Sequence, residues 1–256
     1  MARTDFARLL DEAQRLGKPI EPLTSLEPQL SVAQAYAIQN ELVALRVGRG
    51  EKVAGLKMGL TSKAKMEQMG VRSPIFAVLT DKMERPCGGV LELAGSIHPK
   101  AEPEIGFRLA RDINGRVTAE EALAACDAVC AAMDILDSRY RDFKFTLPDV
   151  IADNASCFGF VLGPWHPVPS MAGLSALRMT LSLNGKVVSA GSSEAIYGHP
   201  AQSLAALCSL LADSGRFLKR GSVVLAGAAS PAVALKAGNR VEVSVEGLGA
   251  AVIDVR

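Results

Sequence analysis

The sequence predicts an α+β protein in which a helical N-terminal region precedes a β-rich body with a few helices. Within residues 4–47, apolar side chains recur at helical spacing. From residue 158 onward short strand patterns dominate, and Asn184-Gly185 between two of them is typical of a two-residue hairpin turn. Hydrophobic residues make up 49% of the 256 positions, which is enough for a substantial core. We therefore predict a helical region over residues 1–52 and a single body over residues 53–256.

Two helices are predicted in the N-terminal region. The first ends at Gly17-Lys18-Pro19, because glycine and proline there do not continue a helix. Ser31, followed three residues later by Gln34, has the pattern of a capping box that begins the second helix. That helix is expected to end near Gly48.

The body combines strands with shorter helices. Val53–Gly59 is strand-like, and Thr61-Ser62 is expected to cap a short helix that runs through Met69. Residues 75–110 hold strand candidates, and residues 119–136 are predicted to be a helix that runs into an apolar stretch. The remaining elements are a helix over residues 200–211 and strands near residues 223–226, 241–245 and 250–253.

Charge and composition exclude several classes of protein. A formal net charge of +1 at pH 7 provides no electrostatic footprint for nucleic acid or an anionic membrane. No apolar run approaches the length of a membrane span. The N-terminus lacks the apolar core of a secretion signal, and the five cysteines show no C-x-x-C spacing. We therefore expect a cytoplasmic protein whose partner is a small molecule.

The segment Glu102-Pro103-Glu104 carries the strongest chemical signal. In an extended strand the two carboxylates share one face, about 7 Å apart at the backbone. Like charges this close repel unless a cation neutralises them. Pro103 has no N–H for a ladder, which favours an edge or an opening in a sheet. The segment is thus either a metal site or a solvated edge strand.

Two further residues could complete such a site. Lys57 lies in an apolar strand, so it is either buried with a lowered pKa or a strand-end lysine that reaches solvent. Asp134 lies among apolar residues and needs either a metal or a partner such as Arg139. Three carboxylates with no nearby histidine or cysteine are hard oxygen ligands that favour Mg²⁺ or Mn²⁺.

Other polar residues are less specific. Asp149, Asp153 and Ser156 fall between apolar segments, where they either make turns or hydrogen-bond a polar ligand. His199 precedes a proline, and a lone histidine in such a turn is usually structural. No G-x-G-x-x-G after a strand, P-loop or G-x-S-x-G occurs, so nucleotide binding and serine hydrolysis have no support.

Several segments together carry a family resemblance. They are GLKMGLTS (55–62), KMEQMGV (65–71), HPKAEPE (98–104), DSRY (137–140), FKF (143–145), ADNAS (152–156) and GHP (198–200). With them the chain resembles the family of 2-oxo-4-pentenoate hydratases and 4-oxalocrotonate decarboxylases, within the fumarylacetoacetate hydrolase superfamily. This resemblance covers the chain from residue 53 nearly to its end.

The resemblance implies a fold, a metal and a set of roles. The implied fold is a mixed β-roll or barrel with peripheral helices and an N-terminal helical segment. Glu102, Glu104 and Asp134 match the positions that bind Mg²⁺ or Mn²⁺, although the third is usually a glutamate in the family. Lys57 matches the family's proton-transfer lysine. Such enzymes are usually homo-oligomers, and the decarboxylases can associate with the pathway hydratase.

Within the family, the decarboxylase branch is favoured. Ile75 stands where hydratases usually carry the aspartate that is thought to help water addition. The implied reaction converts 4-oxalocrotonate to 2-hydroxypenta-2,4-dienoate in the meta-cleavage catabolism of aromatic compounds. Arg139 and Lys144 are candidate partners of its distal carboxylate, and Ile75, Asp153 and Ser156 complete the candidate substrate-binding residues.

Two alternatives remain beside the decarboxylase. One is a hydratase of 2-hydroxypenta-2,4-dienoate, which would share the metal and the proton transfer. The other is an inactive partner subunit of such a hydratase, favoured only by Asp134 in place of glutamate. A carbon–carbon hydrolase of the wider superfamily is disfavoured, because no Glu-His pair is suitably placed to activate water.

Overall fold

The N-terminal region is helical in a computed structural model that describes residues 3–68 and 70–256. The Ser31 side chain accepts a hydrogen bond from Gln34 N, and the Gln34 side chain accepts one from Ser31 N, so the predicted capping box is confirmed. The predicted end of the short helix at Met69 lies outside the described residues. The helices are α1 (Arg3–Leu16), α2 (Leu23–Leu26), α3 (Val32–Gly48), α4 (Lys63–Gln68), α5 (Ala119–Leu123), α6 (Leu147–Ala152), α7 (Met171–Leu174) and α8 (Pro200–Ala212).

The strands form two sheets. The larger has the order β2-β1-β10-β5-β6-β7-β3, with β11 also paired to β5, and the smaller has the order β4-β13-β12-β8-β9. Together with the helices they confirm the predicted α+β class. The strand bounds are β1 (Val53–Gly59), β2 (Ile75–Thr80), β3 (Glu84–Arg85), β4 (Gly89–Leu91), β5 (Lys100–Leu109), β6 (Cys126–Leu136), β7 (Cys157–Leu162), β8 (Arg178–Leu183), β9 (Lys186–Ser192), β10 (Val223–Leu225), β11 (Val233–Ala234), β12 (Arg240–Val245) and β13 (Gly249–Val255).

The main core lies where the two sheets meet. Phe107 of β5 packs in one cluster with Val243 of β12 and Ile253 of β13, and all three are fully buried. Burial of large apolar side chains on both sheets supplies the main favourable free energy of folding. The hairpin predicted at Asn184-Gly185 joins β8 to β9, with positive φ at both turn residues.

A second apolar cluster attaches the N-terminal helices to the body. Leu10 and Ile38 pack there with Ile75 of β2 and Tyr140. Gln39 Nε2 donates hydrogen bonds to Phe76 O and to the carbonyl of a residue in α6, so a buried polar side chain also links α3 to the body. The helices therefore support the back of β2.

The predicted helix over residues 119–136 is wrong. Only α5 is helical, begun by a capping box between Thr118 and Glu121, and β6 follows at Cys126. β6 pairs with β5 on one side and β7 on the other, and nearly all of it is buried. An apolar run buried on both faces lacks the alternation that marks a strand, so its pattern does not separate strand from helix.

Glu102-Pro103-Glu104 lies in a central strand rather than at a sheet edge. β5 pairs with β6 along its length, while β10 and β11 share its other side. Pro103 falls in the gap between β10 and β11, where its carbonyl accepts a hydrogen bond from Ala229 N at 3.0 Å. The predicted opening is therefore present, and the ladder needs no N–H from Pro103.

Among the described residues, none of the helices is both long and apolar enough to cross a membrane.

Candidate metal centre and pocket

Three carboxylates converge at the centre of the larger sheet. Glu102 and Glu104 share one face of β5, and the strand register places Asp134 of β6 directly opposite Glu102. One oxygen from each of the three carboxylates lies within 4.8 Å of the others. All three side chains are buried, so the alternative of a solvated edge strand is wrong. Buried oxygen donors at this spacing fit a hard divalent cation.

Lys57 of β1 reaches the same cluster. Its Nζ lies 2.5 Å from Asp134 Oδ2, and each side chain is 2% exposed. Burial is the largest single influence on the pKa of Lys57 and lowers it, but the charge and hydrogen bond of Asp134, together with Cys157 and Glu104, outweigh burial and hold the pKa above its ordinary value. Of the two alternatives from the sequence, burial of Lys57 is the one observed, without the lowered pKa that burial alone would give. With all three carboxylates ionised, Lys57 offsets one negative charge, and a divalent cation would balance the other two.

Glu104 is held by the loop after β10. Gly227 N donates a hydrogen bond of 2.6 Å to Glu104 Oε2. Gly227 has φ +112°, and a Cβ there would lie 2.3 Å from Thr61 Oγ1, so the loop needs glycine at this point. Burial, reinforced by the charge of Asp134, raises the pKa of Glu104 well above its usual range. A buried acid whose pKa is strongly shifted by burial and by a neighbouring charge is typical of a functional site.

A pocket of about 350 Å³ opens onto the cluster. Lys57, Glu102 and Asp134 form its polar end, and Lys100 and Ser156 also line it. A small polar group set within a mostly apolar wall is typical of a small-molecule site. The apolar part of the wall comprises Met58, Leu60, Ile75, Leu136, Phe143, Phe145, Val150, Ala155, Pro231 and Ala232.

Arg139 is not placed to bind a substrate, contrary to the sequence-based expectation. Its Nε and Nη2 donate to the side chain and carbonyl of Asp153, and its Nη1 donates to Asp137 O at 2.8 Å and Cys157 O at 3.0 Å. The guanidinium is buried and lies outside the pocket lining. Its hydrogen bonds join the loop after β6 to the segment that leads into β7, so it supports the wall of the pocket.

Asp153 and Lys144 are likewise outside the lining. Asp153 is fully buried against Arg139, and burial raises its pKa to about 6 although the guanidinium opposes this. Lys144 is exposed to solvent. Neither side chain contributes to the pocket surface, so their predicted substrate contacts are not supported. Of the five candidates for substrate binding, Ile75 and Ser156 are the two that line it.

Ser156 reaches the pocket through an unusual turn. Asn154, Ala155 and Ser156 all have left-handed φ values of 48–56°. This conformation is unfavourable for side chains with a Cβ and persists where the surroundings fix it. Asn154 supplies part of that support, since its amide side chain accepts from Val78 N at 2.8 Å and donates to Val78 O at 2.9 Å.

Three residues of the pocket lining were not predicted from the sequence: Lys100 and the aromatic pair Phe143 and Phe145. Lys100 Nζ lies 3.8 Å from the centroid of the Phe143 ring, and the His98 ring packs against Phe143 at 4.6 Å. The i, i+2 rule that grouped Glu102 with Glu104 also places Lys100 on their face of β5. The spacing was therefore sufficient to include this lysine.

The remaining polar candidates have structural partners. His199 Nδ1 accepts from Ala201 N and thereby caps α8, as expected for a structural histidine. Asp137 accepts from the backbone N–H groups of Ile97 and His98. Asp149 accepts from Thr24 and from Thr146, the residue before α6.

Comparison with known proteins assigns the family. Residues 47–256 match the model of the fumarylacetoacetate (FAA) hydrolase C-terminal domain, which is most of the chain. The chain belongs to the fumarylacetoacetate hydrolase family. This confirms the resemblance seen in the sequence, and with it the predicted fold.

Relatives within the family carry two activities. The chain is 49% identical to a 4-oxalocrotonate decarboxylase of a Pseudomonas species, over 95% of this chain and 94% of the relative. It is 41% identical to a 2-hydroxyhexa-2,4-dienoate hydratase of Comamonas testosteroni, over 94% of this chain and 92% of the relative. Both are lyases, as expected for this branch of the family.

A solved structure matches nearly the whole fold. It is the 4-oxalocrotonate decarboxylase from Pseudomonas putida G7 complexed with magnesium and adipate, with a TM-score of 0.94 and 35% identity. The alignment covers 99% of this chain and 97% of that one. A magnesium complex in this fumarylacetoacetate hydrolase relative agrees with the metal that the acidic cluster predicts.

Proposed function

We propose that this protein decarboxylates 4-oxalocrotonate to 2-hydroxypenta-2,4-dienoate in the meta-cleavage catabolism of aromatic compounds. The observation that carries the proposal is the polarity of the pocket. Glu102, Asp134 and Lys57 line one end, where Glu104 lies behind them in the acidic cluster, and a second lysine, Lys100, lies in the wall. A dicarboxylate with a 2-oxo group at one end has the complementary chemistry.

Glu102, Glu104 and Asp134 would hold Mg²⁺ or Mn²⁺. When bound, such a cation polarises the 2-oxo group as a Lewis acid. The two glutamates approach from β5 and the aspartate from β6, so the rigid centre of the larger sheet fixes all three donors. Donors fixed before the substrate arrives need little reorganisation during the reaction.

Lys57 would supply the proton that the reaction requires. As CO₂ leaves, the electron pair of the broken carbon–carbon bond moves through the double bond to the 2-oxo oxygen, which then takes up a proton. Because Asp134 holds the pKa of Lys57 above its ordinary value, Lys57 Nζ carries a proton at neutral pH. It also lines the pocket, so it is placed to donate that proton to the oxygen, although its raised pKa makes it a weaker acid than an ordinary lysine.

Ile75 favours decarboxylation over hydration. Its side chain lines the pocket. By the sequence resemblance, this is the position where hydratases usually carry an aspartate. An apolar group neither activates water nor repels a second carboxylate. The hydratase of 2-hydroxypenta-2,4-dienoate remains the second candidate, because a relative that is 41% identical is a hydratase.

We also propose that the enzyme is cytoplasmic and that it forms a homo-oligomer. It can associate with the pathway hydratase. Five cysteines without a disulfide among the described residues are consistent with a reducing compartment. The inactive-subunit alternative loses support from the geometry, since Asp134 lies within the acidic cluster.

A two-substrate assay tests the proposal. The purified protein with Mg²⁺ is incubated with 4-oxalocrotonate and, separately, with 2-hydroxypenta-2,4-dienoate, while CO₂ release and dienol absorbance are followed. CO₂ from the first and no turnover of the second are expected. Turnover of the second alone would identify a hydratase, and no reaction with either would favour the inactive subunit.

A further inference from the structure

Lys100 is a pocket cation without an acidic partner. It begins β5 opposite Leu136 of β6, and its side chain lines the pocket. Among the residues that the structure describes, no carboxylate lies within ion-pair distance of its Nζ. The other lysine of the pocket, Lys57, is by contrast paired with Asp134. A half-buried cation that faces a pocket and has no carboxylate within ion-pair distance attracts an anionic ligand group.

The position of Lys100 suits the far end of a diacid. It lies two residues before Glu102 on the same face of β5, about 7 Å away along the strand. That separation is comparable to the length of a six-carbon diacid. A ligand whose 2-oxo acid lies at the acidic cluster would therefore extend its second carboxylate toward Lys100.

Phe143 fixes the direction of the lysine side chain. Lys100 Nζ lies over the Phe143 ring, 3.8 Å from its centroid, and the His98 ring packs against Phe143 at 4.6 Å. Cation–π attraction holds an ammonium group in place while leaving its N–H donors available. The lysine is thus positioned without being neutralised.

We propose that Lys100 binds the distal carboxylate of the substrate and makes the pocket selective for dicarboxylates over monocarboxylates; this assignment rests on the proposed function. The two cationic residues that the sequence suggested for this carboxylate are not placed to bind it. Arg139 is buried and donates four hydrogen bonds to groups outside the pocket lining, and Lys144 also lies outside the lining.

The assignment predicts a separation of kinetic effects. Lys100 holds the carboxylate in the ground state, and that carboxylate loses its charge as CO₂ leaves. Lys100→Met should therefore raise KM for 4-oxalocrotonate about 10- to 100-fold, as for loss of a charged hydrogen bond, with kcat unchanged or higher because the lost contact is weaker in the transition state. Lys100→Arg should recover most of the lost affinity because it keeps the charge.

A binding experiment tests Lys100 independently of turnover. Calorimetry of the Mg²⁺-loaded protein compares adipate with hexanoate, which has the same carbon count and one carboxylate. Wild type should prefer adipate, and Lys100→Met should lose that preference by weakening adipate alone. Lys144→Met removes a charge between the pocket residues Phe143 and Phe145 but outside the pocket lining, and it should bind both ligands as wild type does.

The outcomes separate this inference from the proposed function. If wild type releases no CO₂ but Lys100→Met still abolishes the adipate preference, the proposed decarboxylation is wrong, whereas carboxylate binding by Lys100 is supported. If Lys100→Met binds adipate as wild type does, the assignment is overturned. It is equally overturned if Lys144→Met weakens adipate, or if Lys100→Met weakens both acids equally while its thermal unfolding is unchanged.

Discussion

Lys57 Nζ lies 2.5 Å from Asp134 Oδ2, and this buried ion pair joins the proposed proton donor to the acidic cluster. The one side chain of Asp134 therefore both pairs with Lys57 and contributes an oxygen to the acidic cluster. Substitutions on the two sides of the pair should separate these functions.

Replacing Asp134 tests the metal side. Asp134→Asn keeps the size of the side chain but removes its charge, so Mn²⁺ affinity should fall by at least about tenfold. Electron paramagnetic resonance of free Mn²⁺ during a titration measures this directly. Asp127→Asn is the matched control, because Asp127 lies on the same strand and pairs with Arg108 at the surface. Equal affinities in the two variants would exclude Asp134 as a metal ligand.

Replacing Lys57 tests the proton side. Lys57→Met should lower kcat by about 10²- to 10⁴-fold, the usual contribution of a general acid or base. Mn²⁺ binding should persist or become tighter, because a positive charge beside the carboxylates is removed. Loss of both activity and Mn²⁺ binding would show instead that Lys57 is needed to assemble the site.

Breaking the Arg139–Asp153 pair should destabilise the fold. Arg139→Met leaves a buried acid without its partner, which typically costs about 3–5 kcal/mol in the free energy of unfolding. Urea denaturation measures the loss. Arg141→Gln removes an exposed arginine two residues away and should unfold close to wild type. A stable Arg139→Met protein would contradict the supporting role assigned to Arg139.

The residues of the site differ in how far the sequence alone identifies them. Glu102 and Glu104 could be predicted together because a strand repeats every two residues. The partnership of Asp134 with Glu102 depends on the register between β5 and β6, which local spacing does not encode. Arg139 was assigned to substrate because its acid, Asp153, lies fourteen residues away and is brought back only by folding.

The fold was predictable to a similar degree. The capping box at Ser31 and the Asn184-Gly185 turn are local chemistry, and both were found where predicted. β6 was mistaken for a helix because its burial on both faces is a tertiary property. Pro103 was placed in an opening correctly but at an edge wrongly, since β10 and β11 are contributed by residues more than a hundred positions later.

Acid should weaken the fold through His98. Burial lowers the pKa of His98, although nearby Asp137 opposes this, so the folded state favours the neutral ring. As pH falls below about 6.5, the unfolded chain binds this proton first, and His98 then contributes a loss of stability. Between about pH 7.5 and 5.5, the free energy of unfolding measured in urea should therefore fall more for wild type than for His98→Gln. An equal or larger loss in the variant would contradict this.

The most direct test is the Mg²⁺ dependence of CO₂ release from 4-oxalocrotonate. The protein is stripped with a chelator, dialysed and assayed at increasing Mg²⁺ beside Glu104→Gln, which keeps the shape of a cluster side chain without its charge. Wild type should release no CO₂ at first and recover a saturating rate, whereas Glu104→Gln should need much more Mg²⁺. Full activity after chelation, or the same Mg²⁺ dependence in both proteins, would contradict a reaction that depends on this acidic cluster.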